Sequence, residues 1–280
     1  MALSKGARDQ IRDMMDEQTI EDRTKMTSRL VYLVVRKEGE EELERTNRSL
    51  FWAGAAAGVL ISFSVLGEAV LRTYLPDARW AYLVENFGYS FGFMLVILGR
   101  MQLFTENTIT TVLPLMIDPI WSVFRSVLRL WGLVLFANVL GAFVAAFFMA
   151  HTGGVPEEVL PAIHSLSEHA TGMGAWTSFI RGIPAGILVA AIVWMLAQAD
   201  GGEVAIIAFF TWLIAAGDFT HVVAGSVEMA FLMVLGELGP GQGIFEFFLP
   251  VLAGNVVGGT LIFAAMAWGQ VADEFRSEER

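Results

Sequence analysis

Two polar stretches interrupt otherwise apolar sequence, and both carry side chains able to hold or pass a proton. In the first, the uncharged and mostly apolar run 87–99 meets Arg100, Gln102, Thr105, Glu106, Asn107, Thr108, Thr110 and Thr111 before apolar residues and Pro114 resume. In the second, Gly217, Asp218, Thr220, His221, Gly225, Ser226 and Glu228 fall in the middle of the apolar run 204–235. Ionisable groups at mid-membrane are costly and lipid-exposed backbone cannot be irregular, so both stretches must face protein or a water-filled cavity. The chemistry open to carboxylates, hydroxyls and one imidazole there is the binding and passage of a small polar solute. A polar break in an apolar segment is the usual sequence sign of a transport site. The centre of the first break is expected over 103–115.

The elements that must position these groups are membrane-length. Hydrophobic residues make up 55% of the 280, above the ~45–50% of ordinary globular chains. Six apolar segments lie near 50–71, 82–117, 127–150, 176–197, 204–235 and 245–268. Most match the ~20 residues of a spanning helix, while the second and fifth are too long and too interrupted for one plain helix. The sequence therefore predicts an all-α membrane protein with broken second and fifth helices. Residues 1–48 hold ten Lys/Arg against eleven Asp/Glu. Their apolar strip of Leu30, Val31, Leu33, Val34 and Val35 reads as an amphipathic helix on the membrane face or against the bundle. The division expected is an arm at 1–48, a pore domain at 49–270 and a tail at 271–280. No cysteine is present, which excludes disulfides, thiolate catalysis and zinc–sulfur sites. No Walker loop, dinucleotide fingerprint, His-Glu metal motif or basic nucleic-acid stripe occurs, so no enzyme activity, cofactor, metal or nucleic-acid partner is expected. His151, His164 and His169, in or beside a loop with spaced acids, read as surface or capping residues.

The two polar breaks belong to an internal repetition. Gly54 and Gly58 in the first segment recur as Gly182 and Gly186 in the fourth. Phe104-Thr105 at the first break is answered by Phe219-Thr220 at the second, and Asn138 with Gly141 by Asn255 with Gly258. Small-residue spacings are common where membrane helices pack closely, and three matches in one order are the stronger sign. Lys and Arg crowd the arm, Arg125 and Arg129 follow the second segment, and Arg276 and Arg280 sit in the tail, whereas 151–175 has none. The positive-inside rule puts both termini in the cytoplasm. With three segments per repeat, the second copy is then inverted, and the breaks meet near the midplane.

FGYSFGFMLVILGRMQLFTENTITTVLP, NVLGA, GDFTHVVAGSVEM and LAGNVVGGTLIF together resemble the formate/nitrite transporter family, over roughly 50–268. LFTENT marks a divergent bacterial branch of it. The resemblance implies an aquaporin-like fold of six helices in two inverted triplets, a homopentamer with a pore in each protomer, and a place in the bacterial inner membrane. It implies a small monovalent weak-acid anion, or its neutral acid, as the solute. It also implies a central pore histidine, His221, facing Thr105, with constrictions at Tyr89, Phe93 and Ile214.

Carrying a bare carboxylate through a dry neck has an idealised cost of tens of kcal/mol that the neutral acid largely avoids, so a proton relay at His221 suits this chemistry. The chain departs from the family pattern at Thr220, where a Glu is usual, at Gly225 and Ala190, where Asn is usual, and near Gly174, where a Lys is usual. In their place stand Arg100, Glu106, Asn107, Asp218, Thr220 and Glu228, with Glu68 on the first segment. Arg100 is expected to pair with Glu106, Asp218 or Glu228, since a buried charge needs a partner. Two rival functions remain: a water- or glycerol-like pore, against which the absence of Asn-Pro-Ala counts, and a transport-inactive protein closed by an Arg100 salt bridge.

Overall fold

The computed structural model describes residues 26–117 and 119–278; residues 1–25 of the expected arm and 279–280 of the expected tail lie outside the described residues. Every regular element in the described residues is helical. Among the described residues five helices are long and apolar enough to cross a membrane: α2 (Asn47–Tyr74), α3 (Ala81–Leu98), α6 (Trp121–His151), α8 (Ala175–Leu196) and α11 (Pro240–Phe275). Between them lie α4 (Phe104–Thr110), α5 (Val112–Ile117), α7 (Leu160–Thr171), α9 (Glu203–Ala216) and α10 (Val222–Leu235). Ahead of them comes α1 (Ser28–Glu44), whose Thr27 caps it by accepting from the Leu30 amide at 3.3 Å. Helical turns run on to Glu278, past the expected tail boundary at 270, without interruption.

The chain leaves helical conformation over 99–103 and again over 217–221. Both departures use the same device. Arg100 (φ 53°) and Asp218 (φ 54°) take the left-handed conformation directly after Gly99 and Gly217, which L-residues adopt rarely and at a cost. After each, the chain runs extended into the next helix: Leu103 at φ −101° and ψ 125°, His221 at φ −115° and ψ 126°. The first break therefore lies N-terminal to the expected 103–115, and Phe104 onward is already helical.

Buried asparagines hold both breaks. Asn138 of α6 accepts from the Phe104 amide (2.9 Å) and donates to the carbonyls of Gly54 and Gln102 (both 2.8 Å). Asn255 of α11 accepts from Val222 (2.8 Å) and donates to Gly182 and Thr220 (both 2.9 Å). The Gln102 amide donates to Ala53, and the Thr220 amide to Arg181. Glycine makes room for this: a Cβ on Gly58 would strike the Asn138 carbonyl, and one on Gly186 the Asn255 carbonyl. Backbones approach this closely in membranes because small residues let them.

The hydrogen bonds also correct the sequence register. Gly54 matches Gly182 and Asn138 matches Asn255, as the spacing predicts. Phe104, however, is matched by Val222, and Leu103 by His221. Phe104-Thr105 and Phe219-Thr220 are therefore not equivalent positions, and their likeness is three residues out of step. Large apolar side chains outside the core, including Trp52, Trp121, Phe147, Phe148, Trp176 and Phe209, are exposed on the outer surface.

Candidate functional site

His221 sits where the second break turns into α10. As the residue before the first helical turn it caps that helix, its Nδ1 accepting from the Ala224 amide at 3.2 Å. A backbone amide only donates, so Nδ1 is an acceptor and the proton of the neutral ring is on Nε2. Nε2 lies 2.8 Å from Thr105 Oγ1 on α4, and its N–H donates to that hydroxyl oxygen. This contact joins residues 116 apart in sequence and ties one break to the other. Both side chains are buried, His221 at 2% exposure and Thr105 at 1%.

An aromatic pair closes one side of the ring. Phe93 stands edge-on to His221, with ring centres 5.0 Å apart, and Tyr89 tilts against Phe93 at 5.3 Å. Phe93 is thus beside the imidazole, with Tyr89 packed on Phe93. Ile214 is fully buried, and its carbonyl accepts from the Phe219 amide within the break. It lines neither of the two cavities described next.

Two cavities approach this centre. The first, of about 290 Å³, is bordered by His221, Thr220, Tyr89, Glu68, Glu228 and Asp218. The second, of about 520 Å³, is bordered by Gln102, Glu106, Asn107, Arg100 and Glu38. They share no bordering residue. Phe93, Leu103 and Thr105, all essentially without exposure, border neither.

The polar residues singled out in sequence divide between these cavities instead of forming one cluster. Arg100 does not pair with Glu106, Asp218 or Glu228. Its side chain is 87% exposed and its nearest carboxylate is Glu38 of α1, at 3.8 Å. The physical reason is exposure: an arginine on the border of the second cavity is solvated there and needs no buried partner. Asn107 donates to Gln102 Oε1 at 3.3 Å, and Glu106 Oε1 is buried without a partner among the described residues. Asp218 is held on the other side by Arg181 of α8 and by His169 of α7, the latter at 2.9 Å. Thr220 donates to the Ser178 carbonyl (2.7 Å) and serves the wall.

Arg181 is the functional neighbour that sequence reasoning missed. Its signal was a lone cation inside the apolar run 176–197, as strong as the one that drew attention to Arg100. His169, read as a surface or capping residue, borders the first cavity through Asp218.

The formate/nitrite transporter family model matches residues 29–269. The chain is 38% identical over 260 residues to the inner membrane protein YfdC of Escherichia coli K12, covering 93% of this chain and 84% of that one. It is 27% identical over 232 residues to the formate channel BtFdhC of Bacillus thuringiensis, covering 81% and 88%. Among solved structures, a pentameric formate channel with formate bound aligns with TM-score 0.69 at 21% identity, covering 81% of this chain and 97% of that one. An FNT family ion channel aligns with TM-score 0.70 at 19% identity, covering 87% and 96%. The relatives here whose names state a function are transporters or channels, not enzymes.

Proposed function

The chain belongs to the formate/nitrite transporter family, and from that premise we propose that it is a homopentameric inner-membrane pore for a small monovalent weak-acid anion, exchanging a proton at His221. In this reading α2 to α6 and α8 to α11 are two inverted triplets of an aquaporin-like fold spanning the bilayer. Both termini are cytoplasmic, with α1 on the cytoplasmic face. Tyr89 and Phe93 form the apolar constriction, and Asn107 and Gln102 border the far side. The observation that carries the reading is the 2.8 Å contact of His221 Nε2 with Thr105 Oγ1, with His221 bordering the first of two separate cavities.

The resting ring is neutral, because a proton on Nδ1 would displace the Ala224 amide. Losing that acceptor costs ~1–3 kcal/mol. An anion ~4 Å away attracts an imidazolium by ~4 kcal/mol at an effective dielectric of 20. The arriving anion is therefore what makes the charged ring accessible: the ring takes one proton from hydronium in the adjoining cavity, the Nε2–H bond breaks as an O–H bond forms on the anion, and exchange with water returns the remaining ring proton from Nδ1 to Nε2. The anion leaves the ring as its neutral acid, the species that crosses an apolar constriction at least cost.

His221→Asn separates this role from folding, since Asn is a strong N-cap and keeps the Ala224 bond while removing Nε2. Formate uptake into proteoliposomes should fall roughly 10²-fold while the oligomer and its melting temperature hold. Uptake with unchanged rate and pH dependence would mean the ring is not the relay. The water- or glycerol-like rival is tested in the same vesicles by osmotic flux without acid flux. The closed-pore rival rested on an Arg100 salt bridge over His221, and Arg100 lies exposed with Glu38 instead.

A further inference from the structure

His221, which caps α10, is followed on one face of that helix by Gly225 and Glu228, at i+4 and i+7. All three border the first cavity. The middle one has no side chain, and the Phe247 ring of α11 packs into the space it leaves; the carboxyl lies ~10 Å further along the helix by its rise per residue. Glu68 of α2 borders the same cavity as Glu228. Glu68 is 9% exposed, and among the described residues no hydrogen bond or ion pair within 4 Å holds its carboxyl. A buried carboxyl turned into a cavity without a protein partner is not a structural brace, because structural carboxyls are paired. Tyr89 of the constriction borders the same cavity as these carboxyls and packs on Phe93.

The other charged and titratable groups facing this cavity are accounted for. Arg72 comes from α2 itself, and Tyr82 and Glu85 from α3. His169 comes from α7, and Asp218 from the break. Asp218 is held by His169 and by Arg181 of α8. Arg72 is thus the one cation among the described residues that borders the cavity without a carboxylate already bound to it, against Glu68, Glu85 and Glu228. A cavity so lined does not concentrate anions by charge. It offers them protons, since two carboxyls on one small cavity share a proton more readily than they carry two charges.

We propose that Glu68 and Glu228 form a proton-donating station upstream of His221, a role that rests on the weak-acid reading above. The proton on the shared pair passes to an oxygen of the arriving anion. The carboxyl O–H bond breaks, an O–H bond forms on the substrate, and one negative charge moves from substrate to the pair. Hydronium from the adjoining solution restores the carboxyl, with no change of oxidation state anywhere. The substrate protonated there enters the constriction already neutral, so the pair supplies the main proton of transport, and the exchange at His221 serves substrate that reaches the ring still ionised. The station takes the place of an attracting cation and selects for weak acids over permanently ionised anions of similar size.

The test uses the full chain in proteoliposomes with radiolabelled formate, and initial rates between pH 4.5 and 7.5. Wild type should show a shallow pH profile, because the station supplies the proton. In Glu68→Gln and Glu228→Gln the only neutral acid is that of the bulk, so rates should drop about tenfold per pH unit and approach wild type at the acidic end. Glu68→Asp should restore the shallow profile. Rates lowered by one factor at every pH would mark the pair as structural and overturn the proposal, as would unchanged profiles. Infrared difference spectra of wild type on formate addition supply a readout independent of variant folding: the protonated-carboxyl C=O band should weaken, and an unaltered band is equally fatal. Formate flux that keeps its dependence on His221 while ignoring the pair sinks only the station. Absence of weak-acid flux in wild type sinks both.

Discussion

Arg100 shows how exposure decides what a charged side chain does. Counted along the sequence, it is a cation amid carboxylates in a spanning segment, and pairing within the break looked necessary. In the structure it stands on a left-handed turn at φ 53° and is 87% exposed. Its role becomes partly conformational, holding a turn that L-residues resist by ~1–2 kcal/mol. The exposed 3.8 Å contact with Glu38 returns only ~0–1 kcal/mol. Glycine meets no such resistance, although it loses ~0.5–1 kcal/mol through unfolded-state entropy. Arg100→Gly should therefore change stability by between about −1 and +1.5 kcal/mol, whereas Arg100→Val, branched at Cβ, should lose about 1–3 kcal/mol. Melting curves in detergent distinguish them, and a glycine variant as unstable as the valine one would refute the strain account. No spacing rule could have exposed this, since the sequence shows the glycine before Arg100 but not the left-handed turn after it.

At the scale of elements, the helices were legible and their joints only partly so. The apolar segments gave each spanning helix within a few residues because lipid leaves the backbone no other choice. Gly54 with Gly58, Asn138, and their counterparts in the second half were legible because a small-residue seam and a buried amide each have few alternative explanations. The Phe-Thr match misled for the opposite reason, since two common residues recur by chance and the break they marked begins at Gly99 and Gly217 instead. What secures each joint is one asparagine side chain bonded to three backbone groups. Removing it strands three buried groups at ~1–3 kcal/mol each. Asn138→Ala and Asn255→Ala should thus each lose more than ~3 kcal/mol and sharply lower recovery of assembled protein. Asn138→Asp should fare no better despite its shape, because it keeps the acceptor for Phe104 but supplies no donor for Gly54 and Gln102. Melting temperature and gel-filtration yield read this out, and an aspartate variant as stable as wild type would show that the two donated bonds contribute little.

Across the whole molecule, α1 ties distant parts of the chain together. Its Tyr32 donates to the Leu113 carbonyl at 3.2 Å and packs against Trp268 and Phe275 at 5.6 and 5.7 Å. Gly39 lies so close to α4 that a Cβ would strike the Thr110 carbonyl. Arg129 of α6 donates to the Leu43 carbonyl at 2.7 Å. Sequence reading found the amphipathic strip, and could not tell membrane face from bundle because both reward the same apolar stripe; Val31, Tyr32 and Val35 are buried against the bundle. On the edge of this contact Glu38 borders the second cavity with Glu41 and Glu42. Burial, opposed by Arg100 and reinforced by Glu41 and Glu42, raises the Glu38 carboxyl above its ordinary range. The docked arm therefore binds that proton more tightly than the free arm. Its contribution to docking is fully present below the ordinary carboxylate value and is lost as pH rises through the raised one. Acidification should tighten α1 on the bundle, slowing amide exchange over 28–44 after correction for intrinsic rates. Glu38→Gln, which cannot ionise, should show the slow exchange already at neutral pH and little further change on acidification. Exchange that quickens on acidification in wild type, or a glutamine variant that follows wild type at every pH, would place the proton linkage elsewhere.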